Sequence, residues 1–205
     1  MMPMTPVAAM RLRRLLLYLP ALVLVALVAS WFWGGSQSVK ATLPSLFLET
    51  LDGERYALSP RPGNVRLVEL IYTRCPDVCP TTTVKMVQLQ KRLKEAQLMG
   101  NGVEFLTITI DPQHDTPAVL RKYAKQLGID AQGWSILRGD ESSLQNVTSS
   151  LGFIASKTED GFISHTTSTY LVNSSNEVIR KFGMGDDFDP DDIYLQLMNL
   201  KKEGL

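Results

Sequence analysis

Apolar residues recur along this chain with two periods, and the switches between them outline the fold. Val65 to Tyr72 is a nearly continuous apolar run of strand length. Over Thr81 to Leu98, Val84, Val87, Leu89, Leu93 and Leu98 recur at roughly helical intervals, ending near Gly100-Asn101-Gly102. Val103 to Ile110 reads as the next strand, apolar enough on both faces to be central. Thr116 is placed to cap a helix with Pro117 at its first position, running to about Leu127. Trp134 to Leu137 reads as a short strand, and Asp140 caps a helix over Ser142 to Leu151. Pro190 starts a terminal helix through Leu200.

Two hairpins flank this alternation. Leu46 to Thr50 and Tyr56 to Leu58 face each other across a turn centred on Asp52-Gly53. Thr167 to Val172 and Val178 to Phe182 do so across Asn173 to Asn176. Strands alternating with helices through the middle predict an α/β fold with a parallel core. The late hairpin adds antiparallel strands at one side, giving a central mixed sheet flanked by helices. Ligands gather at the carboxyl ends of strands in such sheets, where Cys75 and Asp111 both fall.

The first 33 residues follow a different pattern. Arg11, Arg13 and Arg14 precede Leu15 to Trp33, an uncharged run of the roughly 20 residues a membrane-spanning helix needs. Arginines on that side stay in the cytoplasm, and Trp31 and Trp33 fall at the outer interface. A cleaved signal peptide is the alternative, with Val28-Ala29-Ser30 as the small residues at a cut. The run is longer than most signal-peptide cores, which favours a retained anchor. No cysteine follows it, so lipoprotein processing is not indicated. The expected organisation is an anchor over 1–33, a linker over 34–42 beginning with the flexible Gly34 to Ser38, and one domain over 43–205.

Beyond the leader the charge is nearly balanced, 18 basic against 21 acidic residues. No basic stripe interleaved with aromatics is present, so nucleic acid is not an expected partner. Two cysteines do not make a disulfide scaffold of the small secreted kind.

Those two cysteines lie together in Cys75-Pro76-Asp77-Val78-Cys79-Pro80, between the strand and the helix. The positive end of that helix favours thiolate at the nearer sulfur, so the pair suits reaction or a soft metal. An inert disulfide is the alternative, but closing so short a loop stabilises by only about 2 kcal/mol. The chain has two histidines. His165 lies just before the strand at 169–172, near a strand mouth, whereas His114 sits in a polar loop beside Asp115 and reads as solvated. Two thiolates and one imidazole suit Cu(I), and also Cu(II) with a further weak ligand. Zinc is less well satisfied, since a structural site wants four protein ligands. Haem is unsupported, with no Cys-x-x-Cys-His.

Three stretches together carry a resemblance: Tyr72 to Pro80, Thr109 to Pro117, and His165 to Val172. In this order, behind an N-terminal anchor, they resemble the Sco/SenC family of membrane-tethered copper chaperones for cytochrome c oxidase assembly. The resemblance covers about residues 40–200 and implies a thioredoxin-like fold. It implies that Cys75, Cys79 and His165 are the copper ligands and that Asp111 to Pro117 is the loop beside the site. It also implies partners: the copper-site subunit of cytochrome c oxidase, which receives copper at its dinuclear site, and an upstream copper donor or thiol reductant. The expected location is the bacterial inner membrane through a single N-terminal span, with the soluble domain in the periplasm. The family often has Asp before the ligand histidine; Ser164 stands there, which removes a carboxylate's influence on the imidazole.

A second class of function uses the same residues: a thiol-disulfide oxidoreductase that reduces the oxidase copper-site cysteines, with Cys75 and Cys79 as the redox pair. The Cys-x-x-x-Cys spacing, and the absence of proline between Ser156 and Thr169, count against general reductase activity. Peroxidase chemistry is weaker still, for want of a placed arginine beyond Arg74. Asp186, Asp187, Asp189, Asp191 and Asp192 are expected to favour the positive end of the terminal helix.

Overall fold

Every position of Val65–Ile71 (β3) is buried, and Val103–Thr109 (β4) is buried at all but Glu104. Strands covered on both faces belong in the middle of a layered α/β domain. The computed structural model of the chain describes residues 41–203, which lie within one compact unit. The leader and its expected span lie outside the described residues, as do residues 34–40 of the linker. No helix among the described residues is long and apolar enough to cross a membrane.

With Phe47–Thr50 (β1), Arg55–Ala57 (β2), Trp134–Arg138 (β5), Ser168–Val172 (β8) and Val178–Gly183 (β9), the sheet has the order β2-β1-β5-β4-β3-β8-β9. β3, β4 and β5 run parallel; β8 and β9 are antiparallel on one side, and β1 and β2 are antiparallel on the other. Antiparallel strands therefore close both sides of the parallel core, where the hydrophobic pattern implied only the later one.

The helices are Val78–Glu95 (α1), Pro117–Leu127 (α2), Glu141–Leu151 (α3) and Pro190–Glu203 (α4). Successive side chains of β3 alternate between two cores. Leu67 packs with Met86, Leu89 and Leu93 of α1 and Ile193 and Leu197 of α4. Val68 and Leu70 pack with Leu144, Val147 and Leu151 of α3. Ile71 joins Leu120 and Tyr123 of α2, together with both cysteines. Thus α1, α2 and α4 cover one face and α3 the other.

Local signals set the helix ends. The Thr116 hydroxyl accepts from the Val119 N–H at 3.4 Å and the Asp140 carboxylate from the Ser143 N–H at 2.7 Å. Gly128 and Gly152 end α2 and α3 in the left-handed conformation, at φ 79° and 65°. Asp189 accepts from the N–H groups of Asp191 and Asp192 at 2.9 and 3.2 Å, so one carboxylate of the acidic run caps α4.

A two-stranded ribbon, Ala155–Lys157 (β6) and Ile163–His165 (β7), stands apart from the main sheet. Nothing in the apolar pattern marks it, because all three β6 residues are exposed and the strands are three residues long. It nevertheless carries His165.

Candidate metal centre

α1 begins at Val78, so Cys79 is its second residue and Cys75 lies in the loop leaving β3. The Cys75 N–H donates to the Tyr72 carbonyl at 3.1 Å, turning the chain sharply after the strand. Asp77 precedes the helix but makes no side-chain cap. The Cys75 sulfur accepts from the Cys79 N–H instead, at 3.5 Å. A sulfur in that position faces the positive end of α1.

β7 brings the imidazole from the other side. His165 Nε2 lies 3.9 Å from the Cys79 sulfur, and the donor atoms of Cys75, Cys79 and His165 all lie within 4.8 Å of one another. That spread is close to the span of two metal–ligand bonds of about 2.1–2.3 Å each. The Nδ1–H donates to the Thr166 carbonyl at 2.8 Å, which fixes the ring so that Nε2 faces the sulfurs. Phe153 stacks on the ring at 5.6 Å between centroids, and Tyr72 meets it edge-on at 5.7 Å. Ser164 is exposed and so points away from the centre. Both cysteines are free thiols, and Met184 packs in the same apolar cluster.

Electrostatics divide the two sulfurs. Cys75 is lowered to about 4, first by the hydrogen bond from the Cys79 thiol, then by His165 and backbone N–H groups, against the opposing effect of burial. Cys79 is pushed far up, by that same hydrogen bond, by burial and by the neighbouring Cys75 charge. His165 is raised, chiefly by its hydrogen bond with Cys75, with burial opposing. At neutral pH the centre is a Cys75 thiolate beside a Cys79 thiol and an imidazole inclined to hold its proton. To hold a soft cation there, Cys79 would have to give up its thiol proton.

The Asp111 to Pro117 loop divides in two. Asp111 is buried; it accepts from Arg74 at 2.9 Å and faces His114 Nδ1 at 2.9 Å. Burial raises its carboxyl, but those two partners outweigh it and hold it below the usual range. His114 is half exposed, as its polar loop implies, and belongs to this ion-pair cluster rather than to the three-donor group. Asp115 is fully buried and accepts from the Thr73 N–H at 3.1 Å and from the hydroxyls of Thr73 and Thr109. It ties the cysteine loop to the end of β4. Neither this tie nor the Phe153 stack was visible in the sequence. Asp115 lies among polar loop residues with nothing to mark it as buried, and Phe153 reads as one more core aromatic.

The SCO1/SenC family model matches residues 45–201. A SCO1 protein homolog of Bacillus subtilis is 29% identical over 167 residues, covering 78% of this chain and 84% of that protein. The structure that identified a disulfide switch in BsSco, a member of the Sco family of cytochrome c oxidase assembly proteins, superposes with a TM-score of 0.67 at 25% identity, covering 80% of this chain and 95% of that one. Arabidopsis thaliana ScoI with copper bound shares the fold, with a TM-score of 0.65 at 23% identity, covering 79% and 99%. The thioredoxin-like architecture, the two cysteines at the mouth of β3 and a match across most of the domain lead to one assignment: this chain belongs to the SCO1/SenC family.

Proposed function

We propose that this protein binds one copper ion through Cys75, Cys79 and His165 and delivers it to the dinuclear copper site of cytochrome c oxidase. The observation that carries the reading is the convergence of these three soft donors within 4.8 Å. Sulfur and imidazole in a three-donor set favour copper over zinc, which wants a fourth protein ligand. Family membership and the assembly role of the Sco relative support the same reading. Delivery proceeds by exchange: each thiolate of the acceptor replaces one of Cys75 or Cys79, so the ion is never free in solution. The leader, read as an anchor, tethers the domain to the bacterial inner membrane and holds it in the periplasm beside the oxidase. Anaerobic Cu(I) titration of the reduced full chain in detergent tests this. One equivalent is expected to bind tightly, and Cys75→Ser and Cys79→Ser each abolish that binding. Unchanged uptake in either variant overturns the ligand assignment.

A second reading has its own observation, two free thiols side by side with the Cys75 sulfur accepting the Cys79 N–H at the start of α1, which favours a Cys75 thiolate. That pair can attack a disulfide and close on itself, reducing the acceptor's copper-site cysteines before they receive metal. The disulfide switch in the BsSco relative favours including it. Rapid insulin reduction that needs Cys75 and no copper would make reduction the primary activity.

A further inference from the structure

β6 and β7 form a sheet of only two strands, so β6 has an edge that no strand among the described residues pairs. The flanking bonds fix which backbone groups lie along that edge. The Thr166 N–H donates to the Ile154 carbonyl and the Thr158 N–H to the Phe162 carbonyl, both at 2.9 Å and in one continuous register. Hydrogen-bonded pairs alternate along an antiparallel ladder. Ile154, Ser156 and Thr158 therefore turn their backbone groups towards β7, and Ala155 and Lys157 turn theirs away from it. Both of these residues are exposed.

Ala155 and Lys157 also line a cleft of about 610 Å³, within the roughly 300–1,000 Å³ of ligand-binding clefts. Glu141 and Leu144 of α3, Arg138 at the end of β5 and Asp111 just beyond β4 line it with them. Arg138 donates through Nη2 to the Pro112 carbonyl at 3.1 Å, but its Nε is buried without an acceptor. The cleft is joined to the metal centre twice. Asp111 accepts from Arg74, the neighbour of Cys75, and Ala155 is paired directly with His165.

We infer that an extended segment of the copper-accepting protein docks in this cleft as a third strand of the ribbon, pairing its backbone with Ala155 and Lys157. The inference rests on the copper-delivery reading and adds to it the surface that the acceptor uses. A row of unpaired N–H and C=O groups is complemented by an extended main chain. A carbonyl or carboxylate of the segment supplies the acceptor that the Arg138 Nε lacks. The lining carries both signs of charge, Lys157 and Arg138 against Asp111, Asp140 and Glu141, so backbone pairing rather than bulk charge selects the occupant. A strand beside β6 lies two strand spacings from β7, about 10 Å, which holds the acceptor next to His165 as the copper leaves. It also steadies a ribbon that two short strands alone hold weakly.

The test uses the Cu(I)-loaded full chain in detergent, with the reduced, copper-free soluble domain of the oxidase copper-site subunit as the probe. Hydrogen exchange is read residue by residue by mass spectrometry, with and without that domain. The amides of Ala155 and Lys157 are expected to exchange freely in the chain alone and to slow about tenfold or more when the domain binds. Ser156, already paired to β7, is expected to change little. Ala155→Pro removes one outward donor and none of the ribbon's own bonds, a substitution that an edge position tolerates. It is expected to need about tenfold more acceptor for half-maximal transfer, while its bound copper keeps the sulfur and nitrogen neighbours of the wild type. An acceptor that fails to bind, that binds without protecting Ala155 and Lys157, or that takes copper from Ala155→Pro at the wild-type concentration overturns the inference. Should the variant fold poorly or lose its nitrogen neighbour, the wild-type exchange pattern decides alone. Protection without copper transfer keeps the docking surface and overturns delivery, so the two failures are distinct.

Discussion

The sulfur of Cys75 accepts the backbone N–H of Cys79 at 3.5 Å, in the place where a helix ordinarily has a side-chain oxygen cap. One residue thus does two jobs. It satisfies a donor at the open end of α1, and the helix in turn favours its charge. The cysteine spacing follows, since a residue four positions before Cys79 can reach back over the first turn.

Alkylation should reveal that thiolate. With Cys75 lowered to about 4, its reaction with iodoacetamide is expected to be nearly constant from pH 8 down to pH 6. An ordinary thiol would slow by about two orders of magnitude over that range. Mass spectrometry of the modified peptide at each pH distinguishes the two. A steep fall would mean the helix end and the Cys79 thiol do not hold the charge.

Asp115 should matter although it touches no donor atom of the centre. Asp115→Ala leaves the Thr73 N–H and two hydroxyls without an acceptor, a loss of about 3 kcal/mol in stability by urea denaturation. Copper dissociation should quicken in parallel, because Thr73 begins the loop that presents Cys75. Asp115→Asn keeps one acceptor and should recover most of both effects. Full stability in the alanine variant would remove Asp115 from the support of the loop.

Glu69 also predicts a pH dependence of folding. Its folded value, about 7, lies above the usual carboxyl value near 4.5. The folded state therefore binds the proton more tightly, and the contribution is fully present below about pH 4.5 and lost as pH rises through 7. The loss amounts to about 3 kcal/mol. Urea midpoints at pH 4.5 and 7.5 should fall further for the wild type than for Glu69→Gln. Parallel behaviour of the two would mean that the carboxyl is not paying this burial cost.

Much of the arrangement was legible in the residues because its signals are local. The parallel core follows from apolar runs of strand length, and α2 and α3 from Thr116, Pro117 and Asp140 at their starts. The grouping of Cys75, Cys79 and His165 was expected from the only two cysteines and the one histidine near a strand mouth, and the structure brings their donor atoms within 4.8 Å of one another. What was hidden depends on distant partners. β6 and β7 are too short and too exposed to leave a period, so His165 looked like the lead-in to β8. Asp115 and Glu69 are carboxylates whose burial is created by Thr73, Thr83, Thr107 and Thr109, brought together from separate elements. Only Thr109 lies near its partner in sequence, six positions before Asp115; Thr73, Thr83 and Thr107 reach their carboxylates from 14 to 42 positions away.

X-ray absorption at the copper edge of the Cu(I)-loaded protein reads the ligand set directly. Two sulfur neighbours and one nitrogen are expected, the nitrogen disappearing in His165→Ala while both sulfurs remain. A spectrum with no nitrogen, or one unchanged by His165→Ala, would contradict the assignment of His165 as the third ligand.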